Sequence, residues 1–370
     1  MNRISAAIIR TLAFQAAWDY APTGIELAML LDVGPNIAAD SVETQNLASN
    51  SKPNSLAASD IFDELNLLIN TGELVENQGR LSLSSHIDQI NCGRENEFYF
   101  PRKLRNARRV AKYLKRLPWV RAVCLCNTTA LGQARDDSDL DFFVIVKSGS
   151  IWRTRFFAAL PFKLLGARPL SSRAESPAYS DVVEGSLVEQ SRELRDFSTA
   201  LHIRSASVEM TRGKDPVCLS FFVADNFLDL STLMLPDDDP YFRYWFLSML
   251  PLCDDGVLHE LWEANSTIRS RHPLAKEWIA LGGHGTKLRI KNYELRTRDE
   301  EPRIKKGKSF LESFFEKIQR KSFPENIKAM ANRDSRVVVS DNVLKFHVDD
   351  KREKYRQRYY DICKQYEIEP

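Results

Sequence analysis

The stretch WVRAVCLCNTTALGQARDDSDLDFFVIV, residues 119–146, decides how this chain is read. Its two ends are apolar and strand-like: Trp119 to Cys126, and Asp139 to Val146 in the order Asp, Leu, Asp, Phe, Phe, Val, Ile, Val. Successive side chains of a strand point to opposite faces, so Asp139 and Asp141 share one face and Leu140 lies on the other. Two carboxylates side by side repel each other unless a cation neutralises them. A hard cation, Mg2+ or Mn2+, is the expected partner, bound together with the phosphates of a substrate. Upstream, a strand entering a short helix at Asn127 and Thr128 offers backbone N–H groups and a hydroxyl to an anion. Anion cradle and paired carboxylates together equip a protein for metal-assisted phosphoryl or nucleotidyl transfer.

Asn127 to Val146 resembles the signature of the polymerase-beta-like nucleotidyltransferase superfamily: a Gly-Ser pair, a spacer with a central Gly, then Asp-Ser-Asp-x-Asp and an apolar strand. Gly132 stands at the spacer glycine, Ser138 precedes the first aspartate, and Asp139 and Asp141 form the metal pair. Trp18 to Glu26 and the segment INTGELVE (69–76) look like the winged-helix part fused ahead of some prokaryotic members, while Asp239 to Trp245 and Leu261 to Asn265 look like their helical C-terminal part. The resemblance implies transfer of a nucleoside monophosphate from an NTP to a hydroxyl acceptor. Asp139 and Asp141 would hold the metal, with Asn127, Thr128 and Ser138 at the nucleotide.

Two departures are visible. Asn127-Thr128 replaces Gly-Ser, which keeps a hydroxyl but adds a side chain where backbone should approach the triphosphate. The superfamily's third carboxylate is expected on a later strand, for which Val217 to Val223 is the candidate. Its central inward position reads as Ser220, with Asp215 and Asp225 flanking as substitutes. Loss of that acid would remove the base for the acceptor hydroxyl. The alternative reading is therefore a catalytically degenerate protein of the same fold that binds a nucleotide, nucleic acid or a protein partner.

Outward from this segment, the sequence divides into three blocks. Residues 1–90 read as helix, helix, helix and hairpin, the order of a winged-helix-like domain. Thr23 is the cap of a helix from Glu26, Gly34 to Ser55 is a long polar loop, and the apolar spacing of Ile61, Leu65, Leu68 and Ile69 marks a further helix. Asp60, Asp63 and Glu64 would repel phosphate where a recognition helix should sit. Residues 91–235 form the nucleotidyltransferase-like domain, with a polar insertion at about 170–214. Residues 236–370 read as a mostly helical domain with a short strand at Val337 to Val339. The expected fold class is thus α/β (α+β), a mixed sheet flanked by a winged-helix-like and a helical domain.

Composition excludes other classes. With 52 basic and 50 acidic residues, net charge exerts no global pull on nucleic acid. Locally the balance differs: residues 102–121 carry nine Lys and Arg and no acid, over a helical stripe of Leu104, Val110, Leu114 and Leu117. That segment is the candidate contact for nucleic acid. The apolar run near Phe156 to Leu165 is broken by Pro161 and Lys163 and is too short for a membrane span. Six cysteines without a paired CxxC framework point to a reducing, cytoplasmic setting and to no zinc site.

Overall fold

The structure, a computed structural model, describes residues 1–34, 58–90, 98–164, 215–275 and 309–370. The polar insertion expected at 170–214, and all but the first residue of the loop expected at 34–55, lie outside the described residues. The described chain is a mixed α/β structure built on one six-stranded sheet and one two-stranded hairpin. The strands are β1 (Leu74–Asn77), β2 (Arg80–Leu83), β3 (Val120–Leu125), β4 (Leu140–Val146), β5 (Val217–Ala224), β6 (Leu250–Cys253), β7 (Val337–Val339) and β8 (Val343–Phe346).

The large sheet runs in the order β6-β3-β4-β5-β8-β7. β3 and β4 are antiparallel, with Cys124 opposite Phe143 and Leu125 opposite Phe142. β5 joins β4 in parallel, which places Cys218 opposite Asp141. A parallel neighbour needs a crossover, and the helix Ile151–Leu164 lies on that connection. The remaining pairs of this sheet are antiparallel.

β4 explains its own continuous apolar run. Phe143 and Ile145 join one hydrophobic core, and Leu140, Phe142, Val144 and Val146 join a second on the opposite face. A strand covered on both faces loses the alternation of a half-exposed one. The second core is closed by the basic helix Phe100–Leu114 and the helix Ile151–Leu164. On the first face, Phe143 contacts Phe221 and Trp245, whose rings lie 5.0 and 5.6 Å away.

The expected blocks are not separate in the sheet. The mostly helical block after residue 236 supplies the expected strand at Val337–Val339, β7, and also β6 and β8. β6 and β8 have four residues each, too few for periodicity to show, and they pair with β3 and β5 from distant segments. Nor does the core stop at residue 90. The helices Arg3–Ala17, Gly24–Met29 and Ala58–Asn70 and the β1–β2 hairpin follow the expected order. Phe14 of the first helix nevertheless stacks on Tyr244 at 4.2 Å, and the C-terminal helix Arg352–Gln365 packs along it. The first core runs without a break from these helices to the sheet. No described helix is long and apolar enough to cross a membrane.

Local chemistry accounts for the N-terminal turns. Gln78 and Gly79, both at positive φ, make the two-residue turn whose twist suits a hairpin. Thr23 accepts from the Glu26 N–H at 3.2 Å, and Glu26 accepts from the Thr23 N–H at 2.8 Å, a reciprocal cap on the helix Gly24–Met29. Thr23→Ala is expected to lower the unfolding free energy by about 1 kcal/mol. A urea midpoint that does not move would show that the cap contributes nothing.

Charge is also buried here. Asp32, fully buried, takes Arg243 at 3.1 Å and Arg271 at 3.0 Å on its two carboxylate oxygens, and the Gly34 N–H donates to it at 2.9 Å. Arg243 also pairs with Asp238, and Arg10 donates to the Asp32 carbonyl. The cluster joins the N-terminal helices to the helix Pro240–Leu247 and to Arg271.

Candidate active site

β3 ends at Leu125, and the Cys126 N–H still donates to the Asp141 carbonyl at 2.9 Å, holding the two strands together at the site. The chain then turns through Asn127 with φ +60°. This left-handed conformation costs most side chains about 1–2 kcal/mol and is open to Gly and, next best, Asn. The asparagine at this position suits that backbone. A single helical turn, Asn127–Ala130, follows, and the Gly132 and Gln133 N–H groups close it onto the Thr129 and Thr128 carbonyls. Gly132 also has positive φ, at +78°.

The two aspartates arrive together as the spacing requires. Asp139 immediately precedes β4 and Asp141 is its second residue, both half-buried on either side of the buried Leu140. Thr129 Oγ1 donates to the Asp139 carbonyl at 3.4 Å. The Ser138 hydroxyl donates to the Arg135 carbonyl at 3.0 Å, so it is engaged in its own turn. Half-buried Thr128 sits beside Asn127 at the mouth of the turn. The structure thus brings Asn127, Thr128, Asp139 and Asp141 to one end of the β3–β4 hairpin.

Asp141 has close partners. The Asn127 Nδ2 donates to its Oδ2 at 2.7 Å, and the Tyr241 hydroxyl donates to Asn127 Oδ1 at 3.3 Å. Burial pushes the Asp141 carboxyl above the usual carboxylate range, partly offset by hydrogen bonds from Cys218 and Asn127. Burial, with Asp141 next in strength, also holds the Tyr241 hydroxyl protonated. Tyr241 stacks on Tyr355 at 5.4 Å, which fixes its ring. In the sequence Tyr241 is one member of an aromatic stripe; only the packing of its helix shows that its hydroxyl reaches the site.

At Ser220, where the resemblance leads one to expect a third carboxylate, the surroundings are different. Cys218 faces Asp141 across the parallel pair, and its Sγ lies 3.2 Å from the Ser220 hydroxyl. Ser220 in turn lies 3.3 Å from His347 Nε2. Burial pushes the Cys218 thiol well above its usual range and drops His347 to about 3, so both are neutral at pH 7. Asp215 and Asp225, the flanking candidates, are both engaged elsewhere. Asp215 holds Lys103 at 3.1 Å, Arg102 at 3.0 Å and Asn106 at 2.5 Å. Asp225, at the far end of β5, takes Arg121 at 3.2 Å and the Ser148 N–H at 2.9 Å. Lys345, on β8, donates to the Ser335 carbonyl, and burial lowers it to about 7.

Among the described residues, no three His, Cys, Asp or Glu side chains gather as a metal cage. The donor set at the hairpin is two carboxylates, hard oxygen ligands of the kind that hold Mg2+ when phosphates complete its shell. A second divalent ion would meet the Cys218 thiol and the Ser220 hydroxyl, which do not suit a hard cation. Lys103 and Arg102 reach the site from the basic helix: Lys103 donates to the Asp136 and Ser138 carbonyls and Arg102 to the Asp136 carbonyl, clamping the loop that leads into Asp139. Compared with protein-family models, curated proteins and solved structures, the chain matches none.

Proposed function

We propose that this chain is a nucleotidyltransferase of the polymerase-beta-like kind, with a winged-helix-like segment ahead of it, which binds an NTP with one divalent cation between Asp139 and Asp141. The single observation that carries the reading is the end of the β3–β4 hairpin, where a left-handed turn at Asn127 faces two carboxylates on the strand between β3 and a parallel β5. Thr128 would contact the phosphates, and the cation would neutralise charge on the triphosphate. The acceptor hydroxyl attacks the α-phosphorus in line, the bond to pyrophosphate breaks, and the hydroxyl proton passes to solvent.

A second reading, binding of nucleotide, nucleic acid or a protein partner without transfer, is favoured by Cys218 and Ser220 at the third-acid position and by the Asn127 amide on Asp141. One experiment separates the two. The protein is incubated with each labelled NTP, Mg2+ or Mn2+ and cell extract, while NTP affinity is measured by calorimetry. Labelled product that vanishes in the Asp139→Asn, Asp141→Asn variant is the expected result. Binding without product would select the second reading in its nucleotide-binding form, and neither binding nor product would overturn transfer and nucleotide binding alike.

A further inference from the structure

The helix Phe100–Leu114 has one buried and one strongly basic face. Its buried face is fully used: Leu104, Ala107, Val110, Ala111 and Leu114 all enter the second core. Its outer face and the turn after it carry Arg105, Arg108, Arg109, Lys112, Lys115 and Arg116, all exposed. At 3.6 residues per turn these six fall within an arc of about 120° and extend over about 15 Å. Among the described residues none of the six is held in an ion pair; Arg109 donates to the Asn106 side-chain carbonyl at 3.0 Å. Asp136 and Asp215 pair instead with Arg102 and Lys103 at the start of the helix.

That start is where the stripe meets the candidate active site, because Lys103 and Arg102 clamp the loop ahead of Asp139. An aromatic cluster lies at the same end. Phe98 is 81% exposed and packs edge-on against Tyr99, over which Arg102 sits at 5.5 Å. An unpaired row of cations with an exposed ring at one end matches the recognition of a single nucleic-acid strand, in which cations track phosphates and a ring stacks on an unpaired base. A membrane surface fits less well, since the helix has no apolar face left to insert.

We propose that the outer face of this helix binds the backbone of single-stranded nucleic acid, with the end of that strand directed toward Asp139. The binding stands on the helix alone; the role of that strand as the hydroxyl acceptor rests on the function proposed above. The test uses the full chain in EDTA without NTP, and a labelled oligoribonucleotide of about 20 nucleotides, longer than the ~4–16 that a comparable groove covers. Fluorescence anisotropy is followed from about 50 to 200 mM salt.

Six phosphate contacts give a slope of about −4 in log K against log salt, and the Arg105→Gln, Arg108→Gln, Arg109→Gln, Lys112→Gln variant loses about three of that slope. Phe98→Ala, which leaves every charge in place, weakens binding roughly tenfold or more. The Asp139→Asn, Asp141→Asn variant binds the strand as the parent does, so a failure of transfer and a failure of this surface give different patterns. Circular dichroism melts confirm that the variants are folded. No binding at the lowest salt, or equal binding by the four-Gln variant, would overturn the proposal. So would tighter binding to a DNA duplex, or to phosphatidylserine vesicles, than to the single strand.

Discussion

Asp32→Ala is expected to lower the unfolding free energy by about 3–5 kcal/mol, far more than an ordinary surface substitution. The carboxylate is the shared anion of Arg243 and Arg271, and it is fully buried. Removing it leaves Arg243 and Arg271 to share the half-buried Asp238 as their remaining counter-charge, and a buried charge that loses its partner is costly. Asp19 is the control: its pair with Arg358 at 2.9 Å is exposed on both sides, and Asp19→Ala should cost well under about 1 kcal/mol. Urea denaturation of both variants makes the comparison, and equal midpoints would show that the cluster contributes nothing to stability.

The same cluster sets an acid limit. Burial pushes the Asp32 carboxyl up, but His272, Arg243 and Arg271 outweigh it and hold the group well below the usual carboxylate range. Its stabilisation is therefore complete above the unfolded value near 4 and fades as pH falls through and below it. His272 adds an earlier loss. Burial lowers it to about 4, so between about 6.5 and 4 the unfolded chain takes up a proton that the folded imidazole refuses. His347, which burial lowers to about 3, adds a loss over the same range, so stability should decline from about pH 6.5 downward and continue to fall below 4, and His272→Gln should remove part of the upper decline.

Asp215→Ala is the second large effect, and it reaches the site without touching it. The Lys103 ammonium has no exposed surface, and Asp215 is its counter-charge at 3.1 Å. Breaking a buried pair of this kind costs about 3–5 kcal/mol. Arg102 and Lys103 also hold the Asp136 and Ser138 carbonyls, so the loop entering Asp139 should loosen along with them. Both stability and NTP affinity are expected to fall. Asp225→Ala, at the other end of β5, should reduce stability alone. If Asp225→Ala lowered NTP affinity and Asp215→Ala did not, the positioning role of Asp215 would be wrong.

These residues also mark where sequence reading succeeds and where it stops. The two strands around the aspartates, the Thr23 cap, the hairpin of the first block and the buried stripe of the basic helix are short-range patterns, and each is legible because its partners lie within a few residues. β6 and β8 carry too few residues to show a period, and their pairing depends on segments far away in the chain. Asp215 could be placed beside the third-acid strand by proximity in sequence. Its partners, more than a hundred residues upstream, could not be. The Asn127 substitution was visible, but its left-handed backbone and the reach of Tyr241 exist only once the helix Pro240–Leu247 has docked.

The order of the sheet has a consequence during synthesis. β5 is complete at Ala224, yet β8, which hydrogen-bonds its outer edge, begins only at Val343. At ribosomal speeds of about 5–20 residues per second, more than a hundred intervening residues take on the order of ten seconds. Throughout that interval the nascent chain presents a long, largely apolar strand with a bare edge, the kind of template on which strands pair wrongly. A chain cut short between these two segments would have its longest described strand paired on one edge only.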